Sequence, residues 1–161
     1  MLRTLLGFAF ILGLFAPSIQ AADEAQITVV AILANDRDKL INSDLKNIAA
    51  EVQKKHPGFT GFRLERQTVK KVALKQKEIF PLIDDVSAEV TVNSYDAKEN
   101  KSNATIKAPH SGEVTYAIAG EKYVPIVTRY QTKDKDTLIY AVMIKPLPAK
   151  PADKEKEKPG E

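Results

Sequence analysis

The chain has 161 residues, sets 24 lysines and arginines against 21 aspartates and glutamates for a formal net charge of +3, and contains no cysteine. So small an excess of cations makes no general field for nucleic acid, and nucleic acid is not an expected partner. Without a thiol there can be no disulfide, thiolate nucleophile, thiolate zinc site or cysteine-linked acyl anchor, so stability has to come from packing.

The first segment, MLRTLLGFAFILGLFAPSIQA at 1–21, reads as a signal peptide. Arg3 precedes an apolar run at 5–16, Pro17 breaks that run, and Ala21 is the small residue needed at a cleavage site. Ile19 is bulky for its place, so cleavage after Ala22 or retention as an anchor are the alternatives. The run is shorter than the roughly 20 residues that cross a hydrocarbon core, and no second one follows, so no transmembrane span is expected after signal cleavage. The expected location is therefore the periplasm or the exterior, after cleavage near Ala21. Residues 22–146 form one predicted globular domain, and a folding body of about 120 residues can bury roughly two thirds of its extended surface. The tail at 147–161 mixes proline with alternating lysine and glutamate and is expected to be disordered.

Within the domain, ITVVAIL at 27–33 is apolar in both phases, which predicts a central strand covered on two sides. A polar loop, NDRDK at 35–39, leads to the one amphipathic helix. Asn42 or Ser43 is its expected cap, and Leu45, Ile48, Ala49 and Val52 make a stripe that has to dock on a sheet. Lys54, Lys55 and His56 complement its C-terminal end, and Pro57 with Gly58 stops it.

Everything beyond reads as strand and turn. Phe62 and Leu64 open a polar ribbon whose 74–78 segment is a predicted hairpin turn, and Ala88, Val90 and Val92 alternate as a strand with one wet face. Ala104 and Ile106 carry the next strand, followed by one with Val114, Tyr116 and Ile118. Pro125 cannot donate to a ladder, so its strand is expected at an edge or a bulge. The last strand, 138–145, is apolar in both phases, which places it beside the first strand in the middle of the fold or under the helix. The predicted fold is α+β, a mainly antiparallel β-sheet or β-sandwich with one amphipathic helix near the N-terminus packed on it.

Chemistry-bearing motifs are sparse. His110 and Ser111, with Asp84 and Asp85 upstream, lack a nucleophile elbow, so no catalytic residue is assigned. The pairs Asp36/Asp38, Asp84/Asp85 and Asp134/Asp136 lack the glycine and terminal glutamate of a calcium loop and read as solvated turns, so no metal and no cofactor are expected. The densest charge feature is the ribbon of Arg63, Arg66, Lys70, Lys71, Lys75 and Lys77, which suits an anionic envelope polymer or an acidic protein, or else keeps an exposed edge from pairing. Tyr116 and Tyr140 share phase with apolar neighbours and are expected in the core with their hydroxyls at the rim, whereas Tyr123 and Arg129 are surface candidates. The expected ligand-binding residues are therefore Arg63, Arg66, Lys70, Lys71, Tyr123 and Arg129. Asn103-Ala104-Thr105 is a glycosylation sequon, relevant only in a glycosylating secretory pathway.

The segment TGFRLERQTVKKVALKQKEIFPLIDDVSAEVTVNSYD from Thr60, with YVPIVTRYQTKDKDTLIYAVMIKP near the end, resembles small exported proteins of unknown function from Gram-negative bacteria, planctomycetes in particular. The resemblance implies a stand-alone envelope domain of helix-plus-β type and brings no catalytic motif with it. The expected function is an exported, non-enzymatic envelope domain that binds another protein or an anionic envelope component. The alternative is a small periplasmic cell-wall-directed hydrolase or isomerase using Asp84, Asp85 or His110.

Overall fold

The computed structural model describes residues 24–109 and 112–147. The predicted signal segment at 1–21, His110, Ser111 and the predicted tail beyond Leu147 lie outside the described residues. Strand β1 (Glu24–Asn35) follows from its β-branched run, and it lies between β2 (Gly61–Ala73) and β8 (Thr137–Leu147). Both neighbours pair with it antiparallel. With β7 (Val124–Gln131) outside β8, these strands form a four-stranded sheet in the order β2-β1-β8-β7. A second four-stranded sheet runs β3 (Lys77–Ile83), β4 (Val86–Asp96), β5 (Lys101–Lys107) and β6 (Glu113–Ala119), in chain order and antiparallel throughout.

Three layers result, because both phases of β1 need cover. One phase, Ile27, Val29, Ala31 and Leu33, packs with Tyr140, Val142 and Ile144 of β8 against Phe80, Leu82, Val90, Ile106 and Ile118 of the second sheet. The other phase, Val30, Ile32 and Ala34, packs with Phe62, Ile139 and Ala141 under helix α1 (Lys46–Lys55). Leu45, Ile48, Ala49 and Val52 supply the helix stripe, as their spacing predicts. A ten-residue helix is unstable alone in water, so this burial, worth about 1.5–3 kcal/mol for each large side chain, is what holds it. The fold is thus an α+β sandwich with one short helix.

Several expectations need correction. Neither Asn42 nor Ser43 caps the helix through its side chain; a 3₁₀ turn, Ser43–Leu45, leads in, and the Asn42 carbonyl accepts from the Leu45 N–H. The segment at 74–78 is not a hairpin turn, because β2 and β3 belong to different sheets and the chain crosses between them there. Strand β8 runs through Pro146 to Leu147, opposite Ala25 and Glu24, beyond the predicted domain end at 146. The Tyr140 hydroxyl does not reach the rim; it is fully buried and has no hydrogen-bond partner among the described residues.

The turns use few glycines. Lys75, Asp84, Asn100, Glu121 and Lys135 all take positive φ, between 45° and 66°, one in each of five strand connections. Gly61 is different, since a Cβ there would collide with the Asp38 and Asn35 side chains, which fold against the start of β2.

Candidate functional site

The ribbon on β2 is organised by one extra residue. Leu64 stands opposite Ile32 and Arg66 opposite Ala31, so Glu65 bulges out and the phase of the strand reverses. Arg63, Arg66 and Lys70, mixed in sequence phase, thereby come to share one face, opposite Leu33, Ala31 and Ile27. Lys71, opposite Gln26, is on the other face.

Two of the three aligned cations are already engaged. Arg63 donates to Asp136 Oδ2 at 2.7 Å, and Arg37 donates to Asp136 Oδ1 and to the Asp134 carbonyl. Asp136 is 2% exposed, so the reading of Asp134 and Asp136 as solvated turn residues fails for Asp136: its carboxylate is a buried anchor for two arginines. The clamp ties the loop after β1 and the start of β2 to the β7–β8 turn. Lys70 reaches across to β3, bonding Glu78 Oε2 at 3.0 Å and the Ile79 carbonyl at 2.8 Å while its Nζ lies 5.3 Å from the Phe80 ring centroid. Of the six nominated residues, Arg63 and Lys70 therefore hold the fold together. Arg66 and Lys71 are exposed and make no ion pair among the described residues.

Tyr123 and Arg129 lie on the opposite side of the sandwich and share one groove. This groove, about 1180 Å³, runs between α1, the sheet edge at β7 and the edge of the second sheet at β6. Its floor is every residue of β7 from 124 to 129, one wall is the Asn47, Glu51 and Lys55 ridge of the helix, and the other is Tyr116, Ala117 and Ala119. The four-residue spacing of the ridge residues is what stacks them on one helix face. Tyr123 and Val127 pack toward the helix, whereas Val124 and Ile126 pack toward the sandwich core. Burial pushes the Tyr123 phenol pKa up.

The groove's charge is uneven. Glu51 is bound by Lys54, which holds its carboxyl below the usual range, and Lys55 and Lys122 lower it further. Glu121 is held by Lys145 at 2.8 Å, and its carboxyl is lowered by that bond. Both carboxylates are thus neutralised by lysines, while Lys55, Lys122 and Arg129 make no ion pair among the described residues. The surplus is cationic.

Sequence reasoning nominated Tyr123 and Arg129 without the helix ridge or the β6 wall. No sequence signal joins them: that β6 and β7 are edges of different sheets follows from the strand order, which the turn between them does not reveal. Asp84 and Asp85, nominated for the enzyme reading, are exposed in the β3–β4 turn. Among the described residues no group of three or more acidic or histidine side chains is placed to hold a metal ion, and no helix is long and apolar enough to cross a membrane. Compared with known protein families, curated proteins and solved structures, the chain matches none.

Proposed function

We propose that the protein is an exported envelope domain that binds another component of that compartment, and that the groove between α1, β6 and β7 is its binding surface. One observation carries the reading: Lys55, Lys122 and Arg129, which make no ion pair among the described residues, line a concave site that follows residues 124–129 of an edge strand, with aromatic side chains at hand. Export rests on the signal-like segment at 1–21 and on the resemblance to small exported proteins. The ribbon on β2 has a weaker claim than its charge count suggested, because Arg63 and Lys70 spend their donors inside the fold.

The test is a photo-crosslinking residue at Tyr123, with the same residue at Ser87 in β4 as a remote control, used in the native envelope. The reading predicts a defined adduct, protein or anionic polymer, from position 123 and none from 87. Equal, diffuse labelling from both positions would remove the groove as a binding surface.

A further inference from the structure

We infer that the ligand is an extended acidic segment of a partner protein that adds to β7 as a further strand of its sheet, carboxylates toward α1 and small apolar side chains toward Tyr116. This deepens the preceding reading and rests on it. Edge backbone is the first argument. Among the described residues β7 pairs only with β8, in regular register over Val124–Val127, so alternate N–H and C=O groups along the outer side of that stretch have no strand partner, and an incoming strand would satisfy them. The groove follows six consecutive β7 residues, a length suited to an extended peptide rather than to a point anion.

The second argument is what each face of an added strand would meet. Successive side chains of a strand point to opposite faces of the sheet. On the helix face they would approach Lys55 and Lys122, both close enough to Glu51 to act on its carboxyl. On the other face they would meet Tyr116 and Ala117. Alternating acidic and apolar residues fit this division, and Arg129 offers a further cation toward the end of β7. A second copy of this chain fits poorly, since a twofold pairing of β7 edges would bring the same cations together. The edge at β2 is a weaker acceptor: its Phe62 N–H and C=O already bond the Leu40 carbonyl and the Asn42 N–H. Pro125 supplies no donor, so one bond is missing from whichever ladder its nitrogen faces.

The test uses the full chain labelled with ¹⁵N and three probes: a peptide of alternating glutamate and valine as long as β7, the same peptide N-methylated at alternate amides, and dextran sulfate. The expected result is slowed amide exchange at alternate β7 positions with the first peptide only, and affinity reduced about tenfold or more in Lys122→Glu/Arg129→Glu. Both residues are exposed, so an unchanged amide spectrum of the free variant checks that it is folded. Equal binding of the methylated peptide, or groove shifts from dextran sulfate without peptide-specific β7 protection, would overturn strand addition while leaving the groove as an anion-binding surface. Binding of neither peptide, with a defined adduct still formed at position 123 in the envelope, would overturn the acidic-segment ligand alone.

Discussion

Along one side of the sandwich, β2 and β3 run beside each other as the edges of their two sheets; along the other, β6 and β7 are the edges and a groove lies between them. The first side is closed. Lys70 spans the gap to Glu78 and the Ile79 carbonyl, with Phe80 beneath it, and further along β2 the arginine clamp on Asp136 gathers in the loops. The second side stays open as a groove, flanked by α1, whose cations have no ion-pair partner among the described residues. Both sides carry lysine and arginine, so charge count alone does not distinguish them. What distinguishes them is whether a carboxylate of the same chain lies within reach, and that decides which cations remain for a ligand.

Mutations should separate the two sides. The largest effect is expected from Asp136→Ala, which removes a buried acceptor shared by two arginines and should cost about 2–3 kcal/mol in urea unfolding. The loss stays below that of a fully buried ion pair because both arginines are more than half exposed and can turn to water. A loss under about 0.5 kcal/mol would mean that the clamp is only a surface contact. Next is Tyr140→Phe, in the core between the two sides. Its hydroxyl is buried without a partner among the described residues, so deleting it should raise stability by about 1 kcal/mol, whereas a loss would reveal a bridging water. Burial, with the Tyr116 phenol adding to it, pushes the Tyr140 pKa up, so this phenol should also fail to ionise in an alkaline ultraviolet titration until the fold is lost.

Smaller again is Lys70→Ala on the closed side, expected to cost about 0.5–1 kcal/mol through a partly exposed ion pair and a contact with Phe80. Reversal of Lys122 and Arg129 on the open side should change stability by less than about 0.5 kcal/mol, because neither holds an ion pair among the described residues. If reversal there costs more than the loss of Lys70, the contrast between the two sides fails. The least effect concerns acid. The folded pKa values of Glu51 and Glu121 lie below their ordinary values, so the ion pairs contribute above the ordinary carboxylate pKa and are lost as pH falls through the lowered ones. Because both carboxylates are fully exposed, melting temperature should shift little there, while the groove's positive charge rises. Binding of an anionic probe with a pH-independent charge, such as dextran sulfate, should therefore strengthen as pH falls.

Much of the framework was legible in the residues. The two-phase apolar runs of β1 and β8 called for cover on two sides, which both have; the spacing of Leu45, Ile48, Ala49 and Val52 gave the docking face of the helix, and Pro125 pointed to an edge or a bulge, the first of which holds. The ribbon was harder for a physical reason. A bulge at Glu65 reverses the alternation partway along β2, so the periodicity that exposes other strands cancels over this one, and its cations seem to scatter over two faces. The crossing to β3 reads like a hairpin because a short polar turn with Lys75 in a left-handed conformation serves either connection. Asp136 looked solvated because a polar turn sequence says nothing about two arginines arriving from residues 37 and 63. Of the groove, the sequence offered Tyr123 and Arg129 but not their neighbours, since its walls come from three separate stretches of chain.

The position of β1 also sets a clock. It is the first described strand to be synthesised, yet one of its two neighbours is β8, the last, with Glu24 paired to Leu147. Until β8 arrives, the apolar phases of β1 have only β2 beside them, and the partner that completes both layers is more than a hundred residues away. Long-range pairing of this kind slows folding. A chain cut short before Thr137 should therefore remain open and sensitive to protease, and the finished domain should close only when its final strand comes free.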